Sequence, residues 1–182
     1  MKQIFSIAFV ALLLHGCKPA ATETAGSDST KNTAPQDENV QYAYTIEHPD
    51  NWDIGDKKNT AIVLKSLKAF ENGDVETCMQ AFADSVRIEM DGFEAKLSND
   101  SLKAMFTRER GKLKSMKVEM EDWESVISAD KKSEWVTLWY KQIMTDKKGK
   151  VDSTSLVNDA KIVNGKITIF DEKVQHYSAT KN

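Results

Sequence analysis

Asn158 and Asp171 are the two residues of this sequence whose types and spacing suggest chemistry. Between them lies Asn164-Gly165, the preferred centre of a two-residue type I′ turn. Counting one-to-one from that turn pairs Val163 with Lys166, Ile162 with Ile167, Ala160 with Ile169 and Asn158 with Asp171. Successive pairs alternate between the faces of a sheet. One face then carries Leu156, Ala160, Ile162, Ile167 and Ile169, and is expected to face the core. The other carries Lys161, Lys166, Thr168 and Glu172, with Phe170 and Val157 among them. Asn158 and Asp171 are polar exceptions on the apolar face. A carboxylate in such surroundings must be hydrogen-bonded, or its pKa rises. Asp171 is therefore the candidate catalytic or ligand-binding acid, with Asn158 beside it. A satisfied structural pair, or a bulge that turns Asp171 to solvent, is the other reading of the same residues.

The preceding hairpin adds aromatic walls. With Asp146 to Gly149 as a four-residue turn, Trp139 opposes Leu156, Thr137 opposes Asn158 and Trp135 opposes Ala160. Trp135, Thr137 and Trp139 are then expected to line a pocket together with Asn158 and Asp171. A tryptophan offers a large apolar surface and one N–H donor, which suits a small apolar ligand and equally an ordinary core. The opposite face, with Val136, Leu138, Tyr140, Val157 and Phe170, is too apolar for a fully wet sheet surface, and such patches mark association.

Other chemistries lack their residues. The histidines, His15, His48 and His176, have no metal-ligand spacing, so no metal site is expected. No glycine-rich phosphate loop occurs, and no cofactor is expected. Net charge is −3, from 28 acidic and 25 basic residues that are interspersed, so nucleic acid is not an expected partner. Cys78 falls in an apolar helical pattern, without a neighbouring histidine, and reads as a buried thiol.

The elements that must position these residues follow from periodicity. Val63, Leu67 and Phe70 recur at helical spacing, and so do Val75, Met79 and Phe82. Between them, Gly73 suits a left-handed helix stop and Asp74 a cap. Val86 to Met90 reads as a strand. A third helix capped by Ser98 or Asn99 carries Leu102, Met105, Phe106 and Leu113. After Met116 the period becomes two, predicting strands over 118–128, 134–145, 151–163 and 166–177. Upstream, Tyr42, Tyr44 and Ile46 suggest a short extended segment, and "HPDNWDIGD" a turn around Trp52. Helices followed by a meandering antiparallel sheet make the fold class α+β.

This order resembles the NTF2-like superfamily, nearest its SnoaL-like and ketosteroid-isomerase-like branch. The stretches that carry the resemblance are "WDIGDKKN", "FENGDVETCMQAFADSVRIEMDG" and "KIVNGKITIF", and it covers about residues 50 to 178. It implies a cone, in which a curved, mostly antiparallel sheet wraps about three N-terminal helices and leaves a pocket at its open end. It also implies a homodimer through the outer sheet face. It carries no catalytic set over, because Ala61 to Phe82 lacks the first-helix tyrosine that isomerases of this fold use. One fold hosts many functions.

The N-terminus gives an address. Met1-Lys2 precedes Ile4 to Leu14, a run polar only at Ser6. A membrane-spanning helix needs roughly 20 apolar residues, so this shorter run suits a signal-peptide core. Leu14-His15-Gly16-Cys17 resembles the lipobox of bacterial lipoproteins, with His15 departing from the usual small or aliphatic residue. The resemblance implies cleavage before Cys17, its lipidation, and a place in the bacterial cell envelope. Residues 18–39 lack large apolar side chains and read as a flexible tether. The expected organisation is thus a signal peptide over 1–16, a tether over 17–39 and an NTF2-like domain over 40–182. The expected function is binding of a small apolar ligand or a protein partner. The alternatives are an isomerase, cyclase or hydrolase using a pocket carboxylate, and a non-catalytic assembly subunit.

Overall fold

A computed structural model describes Ala43, Tyr44 and Trp52–His176. The signal run, Cys17, the tether and most of the segment around Tyr42 to Ile46 lie outside the described residues. From Trp52 on, the described residues belong to a unit spanning Tyr44–Asn182; of the preceding unit, Met1–Ala43, Ala43 alone is described.

The helices begin where short acceptor side chains can satisfy the first free N–H groups. Asp56 accepts from Lys58 N at 2.8 Å and starts α1 (Lys57–Glu71). Gly73, at φ 84°, turns the chain through the left-handed region, and Asp74 then caps α2 (Val75–Met79) by accepting from Thr77 N at 3.0 Å. Ser98 accepts from Ser101 N at 3.2 Å and opens α3 (Asn99–Gly111). The strands are β1 (Trp52–Ile54), β2 (Phe82–Met90), β3 (Phe93–Ser98), β4 (Leu113–Ser128), β5 (Glu134–Asp146), β6 (Val151–Val163) and β7 (Lys166–His176). They form one curved sheet in the order β1-β4-β5-β6-β7-β2-β3. The β2–β7 pair is parallel and the other pairs are antiparallel. The helices pack on its concave face, α1 against β4 and β5, α3 against β2, β3 and β4.

Three boundaries differ from the periodicity reading. Trp52 begins a short strand on β4 instead of anchoring a turn. Phe82 opens β2 instead of closing the second helix, because Ile167 N binds Ala81 O at 2.8 Å and draws the chain into the sheet. Leu113 starts β4, since α3 ends at Gly111.

Arg110 ties the helical layer together. Its Nε and Nη2 donate to Phe70 O, which also accepts from Gly73 N, and to Glu71 O, each at 3.0 Å, at the end of α1 where carbonyls lack helical partners. A cation there also complements the helix dipole. Arg110→Ala is expected to cost about 1–2 kcal/mol in urea denaturation, and Arg110→Lys to recover only part of it, because an ammonium lacks the two-pronged geometry.

Candidate functional site

Two local features decide which side chains enter the concave face. The first is the β5–β6 loop. Thr145 pairs with Val151, so the loop runs from Asp146 to Lys150. Asp146 organises it: its Oδ1 accepts from Lys148 N at 2.8 Å and Lys150 N at 2.9 Å, while Gly149 takes φ 86°. The loop is one residue longer than the expected four-residue turn. A one-residue change of register exchanges the faces of a strand. Val136, Leu138 and Tyr140 therefore point inward and are fully buried. Trp135, Thr137 and Trp139 lie on the convex face, paired with Lys161, Asp159 and Val157. The three expected pocket residues of β5 are thus corrected to the outer side. Val136, Leu138, Tyr140 and Phe170 are corrected from the outer side to the inner.

The second feature is a bulge in β7. Asn164 and Gly165 adopt φ 52° and 71°, the expected type I′ geometry, and Val163–Lys166 and Ile162–Ile167 pair as counted. The register then shifts: Lys161 pairs with Ile169, leaving Thr168 as the extra residue. Beyond it Asp159 faces Asp171, and Asn158 faces Glu172. Asp171 is therefore not the pocket acid. It lies on the convex face, where Lys173 Nζ binds it at 2.7 Å and Asp159 at 2.8 Å. Thr137 Oγ1 donates to Asp159 Oδ1 at 2.6 Å. Two of the expected site residues, Thr137 and Asp171, thus meet through Asp159 and Lys173 on the side away from the cavity. Trp135 is also engaged on that side: its Nε1 donates to Ser133 Oγ at 3.0 Å, and Lys161 Nζ lies 5.7 Å from its ring centre. Asn158 alone of the expected pocket residues faces the cavity.

The cavity between the sheet and the helices has a volume of about 530 Å³. Val63, Leu67 and Phe70 of α1, Met105 and Phe106 of α3, and Phe82 and Met90 of β2 form much of its wall. Four phenylalanines run in a row along it. Phe70 and Phe106 have ring centres 5.3 Å apart, Phe106 and Phe82 5.7 Å, and Phe82 and Phe170 6.0 Å, all in tilted or edge-on arrangements. Exposed charges of α3 stand at the solvent side, where Glu109 is held by Lys112 and, at 2.9 Å, by Arg108.

The buried side of the cavity is polar. Asn158, 2% exposed, donates from Nδ2 to the hydroxyl of Tyr140, 1% exposed, at 2.8 Å. Asn158 Oδ1 is buried and has no hydrogen-bond partner. Glu172 lines the same space, and burial pushes its carboxyl up to about 7, against the opposing pull of the Asn158 amide. Burial, reinforced by the nearby Glu172 charge, also raises the Tyr140 phenol far above its ordinary value, so it stays a neutral donor. Cys78 also borders the cavity; burial raises its thiol pKa, and Ser66 Oγ lies 3.3 Å from its sulfur. Among the described residues, no group of three or more histidine, cysteine or carboxylate side chains could hold a metal ion.

A curved open sheet, three helices packed in its hollow and a cavity sealed by the sheet's inner face match known architectures. The fold is NTF2-like. An LEH-like epoxide hydrolase from M. tuberculosis superposes with a TM-score of 0.53 at 18% identity, covering 65% of this chain and 84% of that one. AusH from Aspergillus nidulans gives 0.55 at 19% identity, over 71% and 90% of the two chains. An NTF2-like protein of unknown function from Burkholderia pseudomallei gives 0.51 at 16% identity, over 65% and 91%. At these identities the likeness concerns the fold alone. No protein-family model matches the chain, and no curated protein matches it in sequence.

The inner trio of Tyr140, Asn158 and Glu172 was only partly accessible to sequence reasoning, which placed Asn158 inside and the other two outside. One signal was present. Ile169 and Phe170 are adjacent apolar residues that break the alternation of Lys166, Ile167 and Thr168, and such a doublet marks the point where a bulge reverses the faces.

Proposed function

We propose that the NTF2-like domain binds a small, mostly apolar molecule in this cavity, with the ligand's polar group held at Tyr140, Asn158 and Glu172. The observation that carries the reading is a cavity of about 530 Å³ with apolar walls and three convergent polar side chains at its buried side. That is the usual make-up of a small-molecule site. An open cavity favours binding over a purely structural assembly role. Mass spectrometry of small molecules retained by the folded protein tests it. Retention by the native chain, lost when Leu67→Trp fills the space, is the expected result; a cavity empty in every preparation and indifferent to added apolar compounds counts against it.

A second reading, an isomerase, cyclase or hydrolase, is favoured by one observation. Glu172 is pushed up to about 7, where a carboxyl can both give and take a proton near neutral pH. Solved structures of this fold include a protein described as an epoxide hydrolase. If the domain is catalytic, Glu172→Gln removes turnover while leaving ligand retention in place.

The reading places the domain in a bacterial envelope, anchored through a lipidated Cys17. The apolar run Ile4 to Leu14 and the Leu14-His15-Gly16-Cys17 sequence support this. Each buried CH₂ of a lipid adds about 0.8 kcal/mol of membrane affinity. Cys17→Ala is expected to move the protein from the membrane fraction to the soluble one, and unchanged membrane retention contradicts the anchor. A homodimer through the convex sheet face is supported by Trp135, Trp139, Val157 and Ile169, partly buried apolar side chains outside the core. Trp139→Lys is expected to give a monomer in sedimentation experiments.

A further inference from the structure

We infer that the cavity's ligand bears a hydroxyl group, as an apolar alcohol or phenol, seated between the Tyr140 hydroxyl and Asn158 Oδ1. The inference rests on the binding reading above and names the chemical class that this site selects. It follows from counting donors and acceptors on Tyr140 and Asn158. Asn158 Nδ2 donates to Tyr140 Oη at 2.8 Å. That bond occupies a lone pair of the phenol oxygen and leaves its proton uncommitted. Asn158 Oδ1 is buried without a hydrogen-bond partner, on a side chain that is 2% exposed and lines the cavity. These two bonded neighbours therefore present one spare donor and one spare acceptor, beside the Glu172 carboxyl that lines the same space.

Few functional groups complete both. A ketone or an ether accepts from Tyr140 but leaves Asn158 Oδ1 bare, and an unsatisfied buried acceptor weighs against binding. A carboxylate has no proton to give and brings negative charge toward Glu172. An ammonium has nothing to accept with. A primary amide satisfies both atoms but carries a second N–H and a larger polar group into a space walled largely by phenylalanine and methionine. A hydroxyl accepts from Tyr140, donates to Asn158 Oδ1, and leaves an entirely apolar remainder for the walls. Sites that hydrogen-bond a hydroxyl on both sides discriminate strongly against analogues without it.

The test is calorimetric titration of the full folded chain with matched bicyclic aromatics: β-naphthol, its methyl ether, naphthalene, β-naphthoate and β-naphthamide. β-Naphthol is expected to bind about tenfold tighter, or more, than each of the others. Asn158→Leu is expected to erase its advantage over the ether, with circular dichroism used to confirm that the variant is folded. Equal or tighter binding of the ether, naphthalene, the acid or the amide by the native chain overturns the hydroxyl assignment and leaves the cavity reading intact. That comparison needs no variant. Persistence of the naphthol advantage in folded Asn158→Leu overturns it too. If none of the compounds binds at millimolar concentration, the binding reading falls and this inference falls with it.

Discussion

Replacing Glu172 with glutamine is expected to stabilise the protein at pH 8, leave it nearly unchanged at pH 4, and flatten the pH dependence between. The cause is the apolar cavity around the carboxyl, which pushes its pKa up to about 7. In the unfolded chain a glutamate titrates near about 4.3. Between those values the folded state holds a proton that the unfolded state has released. Stability from this group is therefore complete below about pH 4.3, falls progressively above it, and is lost once the pH has risen through 7. The full shift corresponds to about 4 kcal/mol, and the partial exposure of Glu172 brings the expected loss nearer about 2 kcal/mol. Glutamine matches the size and never ionises, so it escapes the loss. Urea midpoints of both proteins at pH 4 and pH 8 measure the difference. Parallel pH profiles contradict the placement of Glu172. The exposed carboxylates act with the opposite sign and in a different range. Asp74 and Asp130 are lowered by hydrogen bonds from Thr77 and Ser128, so what they contribute is lost only as the pH falls through their own low values.

The second large effect is expected at Phe82. Its ring meets Phe106 at 81° and Phe170 at 66°, and so joins the α3 side of the core to β7. Phe82 is 4% exposed. Phe82→Ala removes a buried ring between two others, and the rigid sheet on one side cannot collapse into the space. A cost of about 3–5 kcal/mol is expected, against a total stability of about 5–15 kcal/mol for a domain. Phe82→Leu keeps most of the volume and is expected to cost about 1.5 kcal/mol. Thermal and urea denaturation of the two variants separate the contributions. An alanine variant within about 1 kcal/mol of the native protein contradicts the packing described.

Much of the fold was legible because it rests on local signals. Gly73 and Asp74 marked the helix corner, Ser98 the start of α3, and Asn164-Gly165 the last turn, each through backbone requirements that few residues meet. The alternation of Leu156, Asn158, Ala160 and Ile162 correctly gave the inner face of β6. The candidate site was less legible, because its membership depends on counts carried across two hairpins. The Asp146 loop holds one residue more than the count assumed. Both faces of β5 are apolar, so nothing in its own composition exposed the slip. The bulge at Thr168 did the same to β7 and exchanged Asp171 for Glu172. Local chemistry was readable where one residue type is required, and ambiguous where two neighbouring residues could serve in either direction.

The bulge also bears on how this domain can change over generations. Asp171 and Glu172 stand side by side, one bound to Lys173 on the convex face and one lining the cavity with Tyr140 and Asn158. Were the irregularity to migrate toward His176, the residues it passed would turn over and the two acids would trade places without any substitution at either of them. Descendants of such a chain can gain, lose or reposition an interior acid by moving a kink, and an alignment would record nothing at the two acidic positions themselves.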